Sequence, residues 1–174
     1  IFSEFWELSP KQLKAYAFEF IGRSLHDTKD TVPSDVLKRL RELFEYRLNY
    51  TKSESDYSEL NTFGWWFASG KFDDEWAIAQ LYTIIKTTGS IEPDWLVVEL
   101  LAKLVSQMPK ECVECLDLLV KNESTGWSIY SWREAAKEIL NKAFHTDAAD
   151  HAEKVRNYLA SKGYLEFKEP LPLT

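Results

Sequence analysis

Cysteine is scarce in this chain. Two residues in 174 cannot staple a disulfide scaffold, and they agree with a reducing compartment. Glycine and proline number six each, and most of them fall between apolar-periodic segments, as punctuation. No run approaches eighteen apolar residues, which excludes a membrane-spanning helix of the usual kind. No basic stretch leading into a short apolar one marks a secretory leader. The first residue is Ile1 and not Met, so a piece of a longer polypeptide or a processed chain is expected, and targeting information can lie outside it. Positive charge is also in short supply. Lys and Arg total 21 against 28 Asp and Glu, a net charge of −7. That balance speaks against a duplex-binding surface, where phosphate neutralisation dominates affinity, and against an anionic membrane surface. No Gly-Lys-Ser/Thr phosphate loop and no G-x-S-x-G nucleophile elbow occurs.

What is present is large apolar surface. Apolar residues make up 45% and aromatics 14%, with seven Trp, too much for a disordered chain. A chain of this length can bury roughly 70% of its unfolded surface, so residues 1–174 are expected to form a single domain. The expected location is cytoplasmic.

The organising stretch is residues 63–76, Phe-Gly-Trp-Trp-Phe-Ala-Ser-Gly-Lys-Phe-Asp-Asp-Glu-Trp. Phe63, Trp66 and Phe67 stand at i, i+3, i+4 and mark the apolar face of an incoming helix. Gly70 fits the left-handed position that stops a helix. Asp73 fits an N-cap, and Asp74 and Glu75 suit the positive end of the next helix dipole.

The same logic predicts further helices. Ser9, Pro10 and Gln12 read as a helix start, with a helix to about residue 22 burying Leu13, Ala17, Phe20 and Ile21. A second covers about 33–50, with Val36, Leu37, Leu40, Leu43, Phe44 and Leu48 as its stripe. A polar loop over 51–57 leads to a third at 57–69 and a fourth at 74–88, closed by Gly89. The fourth buries Trp76, Ala77, Leu81, Ile84 and Ile85. The fifth follows Pro93 and is apolar on most sides, as expected of a helix between neighbours. The sixth spans about 110–121, after a corner at Pro109, and the seventh 129–144, after a turn at 122–127. The eighth is capped by Asp147, buries Ala152, Val155, Tyr158 and Leu159, and ends at Gly163. The aromatic stretch 1–8 reads as the end of a preceding element, and 164–174 reads as an extended tail. No stretch reads as a strand.

These eight helices group into pairs at 9–50, 57–89, 93–122 and 129–163. Second helices start near 33, 73, 110 and 147, so after a longer first pair the step settles at about 37 residues, within the range of helical-repeat arrays. In period and pattern the chain resembles HEAT and armadillo-like α-solenoids. That resemblance implies an all-α superhelix of antiparallel pairs. The order Phe-Gly-Trp-Trp-Phe-Ala-Ser-Gly-Lys-Phe, Val-Glu-Cys-Leu-Asp-Leu-Leu-Val, Trp-Ser-Ile-Tyr-Ser-Trp and Tyr-Leu-Glu-Phe resembles the helical C-terminal segments of large bacterial multidomain proteins. These include STAND or NACHT-like signal-transduction NTPases and defence-associated proteins. This resemblance implies a sensor or scaffold segment whose catalytic domain lies elsewhere.

Candidate chemistry is sparse. Cys112 and Cys115 form a C-x-x-C near a helix start, where a dipole could lower a thiol pKa, but no strand precedes them as in thioredoxin-like sites. Buried free cysteines on a helical stripe are the plainer reading. His145 and His151 follow no zinc-finger spacing. His26 has no nucleophile motif beside it. Asp73, Asp74 and Glu75 are accounted for as a helix start, and Asp27, Asp30 and Asp35 lack the EF-hand order. Lys38, Arg39, Arg41 and Arg47 make the second helix locally basic, with Glu42 and Glu45 as partners on a solvated face. The functional alternative is a basic patch in a nucleic-acid groove like that of α-solenoid DNA glycosylases. Trp65 and Trp66, being adjacent, point in different directions; Trp65 is a candidate for a neighbouring helix or a partner. Trp127 and Trp132 flank the turn into the seventh helix, and core packing is the first expectation for all of these.

The expected function is therefore a non-enzymatic scaffold or sensor module, with no catalytic residue, no metal and no cofactor. Its partner is expected to be a protein or other domains of the parent chain. Contacts are placed by geometry on Arg39, Tyr46, Gln80, Thr83 and Arg156 of the second helices, together with Trp65.

Overall fold

The corner at residues 70–76 forms as its residues dictate. The Asp73 carboxylate accepts the Trp76 backbone N–H at 2.9 Å, and Gly70 stops the incoming helix at φ 60°. The computed structural model describes residues 8–51 and 58–168, and all regular structure within them is helical. The elements are α1 (Lys11–Asp27), α2 (Ser34–Thr51), α3 (Ser58–Asn61), α4 (Phe63–Ala68), α5 (Asp74–Thr88), α6 (Asp94–Leu104), α7 (Pro109–Asn122), α8 (Trp127–Ala143) and α9 (Ala149–Ser161). A 3-10 turn, Leu165–Phe167, follows.

Contacts join alternate helices in two series. α1 packs on α3 and α4, α4 on α6, and α6 on α8; α5 packs on α7, and α7 on α9. Cross-links between the series run α4–α5, α6–α7, α7–α8 and α8–α9. The core is aromatic at one end. Phe44 of α2 lies 4.4 Å from Phe63, 6.1 Å from Phe18 and 5.8 Å edge-on from Trp76. One ring thus joins α1, α2, α4 and α5. Each such pair adds about 0.5–1.5 kcal/mol beyond the area it buries. Towards α9 the core turns aliphatic, with Val98, Leu101, Val113, Leu116, Ile139 and Leu159 all fully buried.

Several boundaries and faces differ from expectation. The first helix runs on to Asp27, and its buried face is Lys14, Phe18, Gly22 and Leu25. Leu13 and Phe20, expected inside, are 45% and 61% exposed. The reason lies at Gly22. A Cβ there would stand 2.6 Å from Trp66 Cδ1 and 2.7 Å from Trp65 Cβ. Two helices meet most closely where one has no side chain, and that bare face leaves the Phe18 carbonyl open to the Trp66 indole N–H, which donates to it at 2.8 Å. A glycine does not register in an apolar pattern, so the periodicity placed the buried face off-centre; Ala17 and Ile21 still pack half-buried at its edge.

The single helix expected at 57–69 is two pieces broken at Thr62, whose hydroxyl donates to the Glu59 carbonyl at 2.9 Å and competes with the helical ladder. Pro109 is the first residue of α7 rather than a corner before it. α8 starts at Trp127 and departs from helical geometry at Trp132 (φ −121°, ψ 15°), where the indole donates to Asp94 at 3.0 Å. Asp147 does not cap α9. Ala148 holds that position, and the Thr146 hydroxyl accepts its N–H at 3.1 Å. Val36 is 39% exposed, Leu37, Leu40 and Leu43 are half-buried against the core, and the stripe of α2 is fully buried at Phe44 and Leu48. The tail is not extended at its start: Leu165–Phe167 turns and buries Phe167. The readings of 1–7, 52–57 and 169–174 lie outside the described residues.

Candidate functional site

A cleft of about 600 Å³ opens between α5 and α7. Glu75, Ile78, Ala79, Tyr82 and Thr83 line it from α5. Their 3–4-residue spacing puts them along one side of that helix. Gln107 and Met108 line it from the preceding corner, and Glu111 and Glu114, one turn apart, from α7. Ile78 is buried, and Tyr82 and Met108 are half-buried. The lining therefore combines an apolar floor with three carboxylates and holds no lysine or arginine. The Lys86 ammonium, outside the lining, lies 5.7 Å over the Tyr82 ring. Among the described residues, none of the three glutamates takes part in an ion pair.

The residues expected to contact a partner do not converge. Thr83 lines the cleft, with its hydroxyl bonded to the Ala79 carbonyl at 2.9 Å. Gln80 sits half-buried on the same helix, off the lining. Arg39 and Tyr46 are exposed on α2. The Arg156 guanidinium stacks 5.0 Å over Phe144. Trp65 is half-buried and already covered: Arg23 lies 4.6 Å over its ring, and His26 meets it edge-on at 5.6 Å. Sequence reasoning missed Glu75, Glu111, Glu114 and Met108 as a group, since only the packing of α5 on α7 brings them together.

The basic character of α2 is largely internal. Lys38 pairs with Glu42 at 4.0 Å, and Arg41 with Glu45 at 3.0 Å. Glu45 also accepts the Trp76 indole N–H at 2.8 Å. The Arg41 hydrogen bond, helped by Trp76, holds the Glu45 carboxyl below its ordinary pKa against a smaller opposing effect of burial. Arg47, expected on a solvated face, is 1% exposed and forks onto Glu59 at 2.8 and 3.0 Å. It belongs to the core and not to a groove.

Cys112 and Cys115 are fully buried and unlinked. Burial pushes the Cys112 thiol up to about 12, with Glu111 and Asp74 adding to the effect, and pushes Cys115 up as well. This is the opposite of a redox pair. Since the thiolate is the attacking species, native protein at pH 8 is expected to react with a disulfide reagent on the order of a thousandfold more slowly than protein unfolded in urea. A fast native reaction in a stopped-flow absorbance trace would contradict this burial. No cluster of metal-ligating side chains occurs among the described residues.

A smaller cavity of about 340 Å³ touches Asp94, Glu123, Ser128 and Trp132. Two of its three carboxylates, Asp94 and Glu123, are occupied with folding. Asp94 takes the Trp132 indole and the Trp95 backbone N–H. Glu123 accepts the Thr125 backbone N–H at 2.6 Å, the Thr125 hydroxyl at 2.8 Å and the Gly126 N–H at 3.1 Å, and so organises the entry to α8. Burial opposes its charge, but hydrogen bonds from Ser128, Thr125 and Gly126 together outweigh that and bring its pKa down to about 2. A depressed carboxylate stabilises the fold above its ordinary pKa, and the contribution fades as pH falls towards 2. Glu123→Gln is therefore expected to lower stability by about 1 kcal/mol at pH 7, the scale of a lost cap. Urea midpoints of wild type and variant should draw together progressively as pH falls from about 5 towards 2; a constant gap would contradict the assignment.

No helix among the described residues is long and apolar enough to cross a membrane. No protein-family model matches the chain, and neither a curated protein nor a solved structure is detectably similar to it.

Proposed function

We propose that the chain is a non-enzymatic scaffold or sensor module, a HEAT-like α-solenoid of antiparallel helix pairs in which α3 and α4 count as one helix. On this reading it acts inside a larger cytoplasmic protein and offers the face of its second helices to a protein partner. The observation that carries the reading is the contact pattern. From α4 onward, helices pack on the helix two places along, α4 on α6 and α6 on α8, α5 on α7 and α7 on α9. Helical repeats that stack only on their neighbours generate this pattern, and it leaves one continuous face for binding. The chemistry agrees: the thiols are buried, and the carboxylates Asp73, Asp94 and Glu123 hold helix starts and loops. The nucleic-acid reading loses its main support, because Arg47 is buried on Glu59 and Arg41 and Lys38 are paired on their own helix.

The test is a pull-down from source lysate with this chain as bait, with and without nuclease, read by mass spectrometry. A stoichiometric protein partner that survives nuclease is the expected result. Loss of all bound material on nuclease treatment would overturn the reading in favour of nucleic acid.

A further inference from the structure

The α5/α7 cleft has a chemistry of its own. Its floor of Ile78, Tyr82 and Met108 is apolar, and its edge carries Glu75, Glu111 and Glu114 with no cation in the lining. Several glutamates elsewhere on the surface pair within their own helix, as Glu42, Glu134 and Glu138 do. The three at the cleft do not, among the described residues. Glu111 and Glu114 stand one turn apart on α7, facing Glu75 across the opening, so like charges gather where an incoming cation would relieve them. Met108 adds an unbranched, polarizable side chain that adapts to whatever lies on it.

We propose that this cleft docks a lysine- and arginine-bearing amphipathic helix of a partner protein. Its apolar face lies on Ile78, Tyr82 and Met108, and its cations reach Glu75, Glu111 and Glu114. The inference rests on the scaffold reading and names the partner's chemistry. Charge selects the occupant. At −7 the chain repels a second copy of itself and repels nucleic acid, while a basic segment is drawn in. Shape selects a helix. A groove between two packed helices accepts the ridge of a third, and the described residues contain no strand edge that an extended peptide could join. The volume of about 600 Å³ lies within the range of sites that bury a ligand's side chains.

The experiment is a fluorescence-anisotropy titration of the whole chain. The probe is a fluorescein-labelled amphipathic peptide of leucine and lysine, and the control peptide carries glutamate for lysine. The leucine–lysine peptide is expected to bind, more weakly as salt rises, and the glutamate peptide not to bind. Glu111→Gln with Glu114→Gln should weaken binding about tenfold. Met108→Ser should weaken it at low and high salt alike. Glu99→Gln with Glu153→Gln changes net charge equally at exposed positions outside the cleft and should leave affinity within about twofold. Equal weakening by both glutamine pairs would overturn the proposal, because the general field and not the cleft would then be binding. So would no binding by the wild type, or an anisotropy change that follows self-association in analytical ultracentrifugation. A nuclease-resistant partner in the pull-down beside a silent peptide titration would leave the scaffold reading standing and overturn this one alone. Melting curves by circular dichroism confirm that each variant is folded.

Discussion

Gly64→Ala is expected to cost about 3 kcal/mol, although the same exchange inside a helix normally gains up to about 1 kcal/mol. Gly64 lies in α4 where the chain preceding α6 presses against it. The Glu92 N–H donates to the Asn61 carbonyl at 2.7 Å, and Ile91 beside it is buried. This tether brings the Glu92 carbonyl onto the Gly64 α-carbon. A Cβ at that position would overlap the Glu92 carbonyl oxygen, stand 2.6 Å from its carbon and reach Pro93 N at 2.9 Å. All three obstacles are backbone atoms, so no rotamer change relieves them. The loop must move, and the packing of α4 on α6 must move with it. Overpacking typically costs 1–3 kcal/mol, and a backbone obstacle belongs at the upper end. For a chain of this size the midpoint of a thermal melt should fall by roughly 6–12 °C. Gly22→Ala makes the comparison informative. It meets Trp66 Cδ1 at 2.6 Å, which can shift if the ring gives up its bond to Phe18, and Trp65 Cβ at 2.7 Å, which moves only with the backbone of α4. The expected loss there is about 2 kcal/mol. If Gly64→Ala melts at or above the wild-type midpoint, the close approach of Glu92 is not a feature of the fold in solution.

These two glycines also show where the sequence was legible and where it was not. Local signals read well. Gly70, Gly89 and Pro93 act through their own backbone and Asp73 through a carboxylate that caps three residues on, so the bounds of α5 follow from the residues alone. A strong apolar stripe such as Trp76, Ala77, Leu81, Ile84 and Ile85 leaves one face to bury, and all five are buried. The order of helices is a sum of such local signals, which is why it could be read. What stayed hidden depends on partners distant in sequence. Gly22 and Gly64 carry no apolar signal, yet they set how closely α1 and the loop at Glu92 approach α4, and through that they decide which face of α1 is inside. The cleft was hidden for the same reason. Glu75 and Glu111 are 36 residues apart in the chain, and each alone looks like an ordinary glutamate at a helix start.

Arg47 is the sharpest case, and it leads to the second large effect. Next to Lys38, Arg39 and Arg41 it looks like one more surface cation. Three-dimensional packing instead buries it against Glu59, twelve residues on, through two hydrogen bonds between guanidinium and carboxylate. The pair ties α2 to α3, next to the point where Phe44 joins four helices. Bringing two charges out of water is costly, and their attraction offsets that cost only while both are present. Glu59→Gln is therefore expected to lower stability by about 3–5 kcal/mol, because it removes the carboxylate charge onto which a guanidinium only 1% exposed forks. Arg47→Met should cost a similar amount by leaving the carboxylate behind. Arg47→Met with Glu59→Gln removes both charges and should cost less than the sum of the two, by about 0.5–3 kcal/mol of coupling. Urea denaturation followed by tryptophan fluorescence supplies all four corners of the cycle. Added salt should leave the coupling nearly unchanged, since buried charges are screened little. By contrast, the exposed Lys38–Glu42 pair should show less than about 1 kcal/mol and lose it in salt. Additive single variants would mean that Arg47 and Glu59 do not act as a pair, and that α2 is held instead by its apolar stripe and the Glu45–Trp76 hydrogen bond.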